Sequence, residues 1–473
     1  MFEDPNIRQI DFYQFNETII NPVALGLTAL MCLFIFFVKK RAYAIVPMLI
    51  VALYITNRQR LVIGGLDFDM LRIIVVFGLI RVLLQSENRN FKFIPIDKVM
   101  VWFSILGIIT FTIQRGGFDA FINRLGFAFD IFGLYFLVKI FISNFEDIDR
   151  IVKMIVILSA PIAIAMIAEQ ITGRNFFSIF GGVPEINVVR DGNLRSQGAF
   201  SHAILAGSFG ASLLPLSWGL WNQNKASKPI ALVGFLSAAI ITITCSSSGP
   251  ILSFIAGFWG ILFWILRKHT RIVQILTVIG ILVLHIFMKI FIGDPVWAIL
   301  YRITIVSGST GWHRYNLIQQ SINRFAEWAL VGTKSSAHWG WGLQDVTNMY
   351  IRIGINGGFI SLILFVVTIF FAFRGLGISI KRFENHPYLQ KYIWAIGVSI
   401  FTHTISFTGV SYFGQMIMFW YMSLAIAASI SQFSLIQFKS YIMKYYRDVY
   451  SKISFPISNP QTNPIRQIGA SFE

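Results

Sequence analysis

Long apolar runs recur from one end of this chain to the other, separated by short polar hinges. A helix rises about 1.5 Å per residue, so about 20 apolar residues cross the hydrocarbon of a bilayer. Only 13% of the residues are charged and 55% are hydrophobic, whereas a soluble domain carries charge on roughly a quarter of its residues. So little polar surface cannot cover a chain of 473 residues in water. The expected fold is an all-α polytopic membrane protein with about 13 transmembrane helices (12–14) and two long extracytoplasmic loops.

The expected spans are 19–38, 42–56, 70–85, 99–113, 125–142, 151–172, 203–221, 230–245, 250–266, 272–292, 347–373, 393–412 and 415–435. They form one transmembrane domain over 1–436, with loops at 173–202 and 293–346, followed by a cytoplasmic tail at 437–473. In the tail, Phe438, Ile442, Tyr445 and Val449 recur at helical spacing among Lys439, Lys444, Arg447 and Lys452. That pattern predicts an amphipathic helix on an anionic leaflet, with disorder after Phe455.

The net charge of +17 would suggest nucleic acid in a soluble protein. Here the basic residues fall in alternate hinges: Lys39, Lys40 and Arg41; Arg89, Lys92 and Lys98; Arg150 and Lys153; Lys225 and Lys228; Arg267, Lys268 and Arg271; Arg374, Lys381, Arg382 and Lys391. The short hinges of the other set hold only Arg58, Arg60, Arg115 and Arg124. The positive-inside rule places the richer set in the cytoplasm and the amino terminus outside. Residues 1–17 lack the basic region of a cleaved signal peptide, so the first span is expected to stay in the protein. Cys32 and Cys245 sit in separate apolar runs and suggest neither a disulfide framework nor a metal site.

Polar chemistry gathers in the two long loops. The first, 173–202, carries Arg174, Glu185, Arg190, Asp191, Arg195 and His202. The second, 293–346, carries Asp294, Arg302, His313, Arg314, Arg324, Glu327, Lys334, His338 and Asp345, with Trp297, Trp312, Trp328, Trp339 and Trp341. Loops of this length with no obvious structure of their own are functional or disordered, and the tryptophans argue against disorder. Guanidinium groups offer a planar fork matched to phosphate oxygens. The competing account is that these arginines pair with Glu185, Asp191, Asp294 and Glu327. Asp130, Glu169, His285 and His403 lie in or near spans, where charge is costly; interhelix hydrogen bonding is the expected role.

The segment Arg195-Ser-Gln-Gly-Ala-Phe-Ser-His202 runs into a span rich in small residues, and Ser246-Ser-Ser-Gly-Pro250 follows. Further on come Gly311-Trp-His-Arg314, Trp339-Gly-Trp-Gly342, Asp345-Val-Thr-Asn348-Met-Tyr350 and Gly354-Ile-Asn-Gly357-Gly358. In order and placement these motifs resemble the bacterial O-antigen ligase/polymerase superfamily, over roughly 195–373. Two departures stand out. The serine turn lacks an arginine that many members carry, and Thr347 stands where many have a histidine before the asparagine.

The resemblance implies a glycosyltransferase at the outer face of a bacterial inner membrane, its functional loops in the periplasm. The glycan would pass from undecaprenyl pyrophosphate to an acceptor hydroxyl on a glycan or lipid, in the company of membrane lipids and other polysaccharide-assembly proteins. On that reading Arg195 and Arg314 hold the departing pyrophosphate, with Arg190 and Arg302 in reserve. Asp345 or His338 takes the proton, and His202, His313 and Asn348 are further candidates. No cofactor, metal or nucleic acid is implied. An O-antigen or exopolysaccharide polymerase is favoured over a ligase acting on lipid A core or protein, because the His-Asn pair is missing. A transporter of lipid-linked sugars predicts polar groups at the midplane and ranks below both.

Overall fold

The computed structural model describes residues 17–87, 91–302 and 310–433. The amphipathic helix and disordered tail expected after residue 435 lie outside them, as do residues 1–16. The main elements are helices, which we number α1 (Pro22–Phe37), α2 (Ile45–Tyr54), α3 (Met70–Gln85), α4 (Pro95–Arg115), α5 (Phe118–Phe141), α6 (Phe145–Thr172) and α7 (Ala203–Trp221). They continue with α8 (Lys228–Thr244), α9 (Ser248–Leu262), α10 (Thr270–Phe291), α11 (Gly311–Asn323), α12 (Met349–Arg382), α13 (Pro387–Ser406) and α14 (Gln415–Gln432). Among the described residues there are also short helical turns and two small hairpins: β1 (Arg60–Ile63) with β2 (Leu66–Asp69), and β3 (Val189–Arg190) with β4 (Asn193–Leu194).

Every expected span contains a helix, and among the described residues seven helices are both long and apolar enough to cross a membrane. Several ends move for local reasons. Asn144 caps α6 by accepting from the Asp147 N–H at 3.0 Å, which starts that helix six residues early. Helix α12 runs nine residues past its expected end.

Helix α7 sits at the centre because its small residues admit close neighbours. A Cβ on Gly207 would collide with Pro250 at the start of α9. One on Gly210 would meet Ile241 of α8, and one on Gly219 would meet Ala395 and Tyr392 of α13. Without water to drive apolar faces together, such close backbone approach is what holds helices in lipid.

The hinges collect in two groups. Ser201 bonds Asn57, Gln415 Nε2 donates to the Ala199 carbonyl at 2.6 Å, and the Met349 N–H donates to the Phe407 carbonyl at 2.9 Å. These contacts join 55–59, 173–202, 346–349 and 407–415 at one end of the bundle. At the other end Arg41 bonds Ser143, Lys139 pairs with Asp97 at 2.5 Å, and Lys391 bonds Asn222 at 3.0 Å. Both long loops therefore lie at the end with fewer basic hinges.

Candidate anion-binding site

The first loop is folded, and its local sequence explains how. Asp191 and Gly192 both have positive φ, 48° and 79°, the two-residue turn that Asp-Gly favours because its twist matches a hairpin. Strands β3 and β4 flank it, pairing Arg190 with Asn193. The Arg195 N–H continues the ladder to the Val188 carbonyl at 3.0 Å. The next residues are clamped from below. Buried Glu169, near the end of α6, accepts from the backbone N–H groups of Gln197 and Gly198, both at 2.9 Å, and from Asn187 Nδ2 at 3.0 Å. Gln170 Nε2 donates to the carbonyls of Leu194 and Thr244, at 3.0 and 2.8 Å.

This clamp sets the position of Arg195 against the serine hinge. The Ser246 hydroxyl donates to the Leu194 carbonyl at 2.9 Å and the Ser196 N–H to the Thr244 carbonyl at 3.1 Å. Glu169→Ala would leave the Gln197 and Gly198 N–H groups buried without an acceptor, at about 1–3 kcal/mol each. A thermal melt in detergent should show that loss, with Glu169→Gln, which keeps one acceptor oxygen, falling between.

The second loop brings Arg314 to the same place. Helix α11 carries it, and Arg314 Nε donates to the Gly409 carbonyl at 3.1 Å. An added Cβ would lie 3.3 Å from that Nε on Gly409 and 3.8 Å from Arg314 Nη2 on Gly249. Gly249 belongs to the first turn of α9, whose N-cap residue Ser247 makes no side-chain cap. The amino-terminal end of a helix carries partial positive charge and favours anions.

Arg190, Arg195 and Arg314 are thus mutual electrostatic neighbours. Burial and the charges of Arg190 and Arg195 bring the Arg314 guanidinium down to about 10. Burial likewise lowers Arg195, with Arg190 adding to the effect. Arg195 Nε is buried with no partner, and neither Arg195 nor Arg314 forms a salt bridge among the described residues. The nearest carboxylate of Arg190 is its neighbour Asp191, at 3.8 Å. Arg195 and Arg314 without a matching acid, beside Arg190 with only a loose pairing to Asp191, define a site that an anion would stabilise.

The remaining candidates have other partners. Arg302 is bound by Asp294 at 2.7 Å, which also accepts from Tyr301 at 2.6 Å. His338 bonds Glu327 at 2.7 Å, and Trp339 and Arg324 bond the same carboxylate at 3.0 and 2.8 Å. These contacts, that of His338 first, pull the Glu327 carboxyl down to about 2. His202 caps α7 by accepting from the Ile204 N–H at 3.1 Å. Asn348 caps α12 and donates to the Thr408 carbonyl at 3.2 Å. His313 Nε2 donates to the Asp345 carbonyl at 2.9 Å, which leaves the exposed Asp345 carboxylate close to the arginine-bearing helix. The Thr347 hydroxyl is buried with no partner. Beneath this loop Leu317, Trp328, Trp339, Leu343, Ile351 and Ile355 form a small core of their own.

The embedded ionisable groups are tied locally. Asp130 takes a two-pronged bond from Arg72, at 2.7 Å to each oxygen. His285 accepts from the Val296 N–H at 3.3 Å, and His403 meets the Tyr412 hydroxyl at 2.8 Å.

The fold is that of an all-α membrane protein with an arginine-lined site where two long loops meet. No protein-family model and no curated protein matches the chain. Sequence reasoning missed the Glu169 and Gln170 clamp and the β3–β4 hairpin. The Asp191-Gly192 pair between short apolar runs was the available signal for the hairpin.

Proposed function

We propose that the protein is a glycosyltransferase that takes glycan from a polyprenyl pyrophosphate and passes it to an acceptor hydroxyl. A polymerase is the preferred form, with thirteen spans, in a bacterial inner membrane and with both long loops in the periplasm. The observation that carries it is the convergence of Arg190, Arg195 and Arg314 from two separate loops, with Arg195 and Arg314 lacking a salt-bridge partner among the described residues. The positive end of α9 adds to the same field. The order of motifs that resembles the O-antigen ligase/polymerase superfamily supplies the substrate class.

In the proposed reaction the acceptor oxygen bonds to the anomeric carbon as the bond from that carbon to the pyrophosphate oxygen breaks. The electron pair leaves on the pyrophosphate, where the arginines stabilise the new charge. The acceptor proton goes to Asp345, which is exposed and tethered through its carbonyl to the residue beside Arg314. His338 is the weaker candidate, because Glu327 already holds it. A base must come within hydrogen-bond reach of the proton it removes.

The test uses purified protein in lipid with an undecaprenyl-pyrophosphate-linked oligosaccharide, its products resolved by size. A ladder that grows without added acceptor is expected. It should vanish in Asp345→Asn and persist in His338→Gln. A single product formed only with lipid A core would convert the assignment to a ligase. No product from folded protein with any acceptor would remove the transfer reading in favour of a transporter.

A further inference from the structure

A second group of arginines surrounds a break in α12. Gly358 leaves helical geometry there, with φ 77° and ψ 177°. Arg115 ends α4, Arg124 lies on α5, and Arg352 precedes the break. The guanidiniums of Arg115 and Arg124 lie 5.5 and 4.1 Å from the centre of one ring, Phe111. Arg124 Nη2 donates to the carbonyl of Asn356 at 3.4 Å, and Arg352 stands one turn before Asn356, on the same face of the helix. Arg352 and Arg115 are the cationic neighbours of Arg124. None of the three forms a salt bridge among the described residues; Asp345 is the acid whose charge favours that of Arg352.

Stapling the break explains only part of this. One carbonyl occupies a single donor of Arg124, whose side chain is deeply buried at 9% exposure and whose Nε has no partner. Gln114 Oε1 and Thr112 Oγ1, also on α4, are buried and unpartnered as well. Buried polar atoms are almost always paired in folded proteins. Asp345 joins the two arginine groups: its carbonyl is held by His313, next to Arg314, and its charge acts on Arg352.

We propose that Arg115, Arg124 and Arg352 form a second anion site, which receives the phosphate of a second lipid-borne glycan, the acceptor. The proposal rests on the transfer reading, since a polymerase must hold two such lipids at once with the proton acceptor between them. Arginine recognises the phosphate of a polyprenyl carrier and of a phospholipid headgroup alike, so the test separates those sources.

The measurement is the stoichiometry of radiolabelled undecaprenyl pyrophosphate, without glycan, on the full chain in phosphatidylcholine nanodiscs. Two equivalents are expected. Arg195→Ala with Arg314→Ala should leave one, and Arg124→Gln with Arg352→Ala should leave the other. Exposed Arg352→Ala alone should weaken the second equivalent by about tenfold, which keeps the test alive if the Arg124 variant does not fold. A single equivalent in the native protein, or a second that survives the Arg124/Arg352 variant, would overturn the proposal. Displacement of the second equivalent by phosphatidylglycerol would give the site to phospholipid headgroups and remove the acceptor from it. Because no turnover is read, a protein that binds two lipids yet transfers nothing sinks the transfer reading, and with it the acceptor role, while the second anion site stands.

Discussion

Arg314→Ala is expected to lower the rate of the proposed glycan transfer by about two to three orders of magnitude, the scale seen when one preorganised donor to a developing anion is removed. The expectation follows from how the side chain is held. Its Nε is tied to the Gly409 carbonyl, and the bare backbone of Gly249 lies beside Nη2. The terminal nitrogens are therefore aimed before any substrate arrives, so in the proposed transfer no reorganisation would be needed as charge develops on a pyrophosphate. Removing a guanidinium already destabilised by burial and by two like charges relieves repulsion, and the thermal melt should hold or rise. Arg314→Lys should fall between: an ammonium supplies the charge, without the planar fork that holds two oxygens at once. Single-turnover transfer measured beside a melt separates the two effects. A full transfer rate from Arg314→Ala would remove this arginine from the site, whatever became of Arg195.

How much of this was legible in the chain depends on the length scale of each signal. Helices are local, and in lipid the backbone must satisfy itself within each segment, so apolar runs found α3 and α7 to the residue. Caps such as Asn144 lie in the sequence too, but they compete with hinge chemistry and are harder to rank. Arg195 and Arg314 could be singled out by residue type and motif. That they meet depends on Gly249, Gly409 and the Glu169 clamp, contacts far apart along the chain that no window of residues contains. Arg302 and His338 carried the same local signal as their neighbours; only the fold shows them bound by Asp294 and Glu327. Arg115 and Arg124 were legible merely as sparse charge in a short hinge. Nothing local reveals that α12 breaks beside them.

The break itself yields the largest expected loss of stability. Gly358→Ala places a Cβ where it overlaps the Leu330 carbonyl oxygen and comes within 2.7 Å of the Leu330 carbonyl carbon. Both are backbone atoms, so no rotamer change relieves the clash. The backbone conformation, φ 77° and ψ 177°, is one that glycine alone adopts readily; a side chain there costs about 1–3 kcal/mol. Forced overpacking adds roughly as much again. The damage does not stop at one residue. The Phe359 N–H donates to the Ala329 carbonyl at 2.8 Å, and the Ile355 carbonyl freed by the break accepts from Thr333 N at 2.8 Å and Gln114 Nε2 at 2.7 Å. Pushing residues 329–330 away breaks these bonds and withdraws Trp328, which packs against Gly354, from the small core beneath the second loop. Folded yield and melting temperature in detergent should drop sharply. Gly377→Ala on the same helix, with nothing within 4 Å of its added Cβ, should be neutral or stabilising, because alanine is the better helix former. If Gly358→Ala melts like Gly377→Ala, α12 runs straight in the membrane, and the arginines around Asn356 need another explanation.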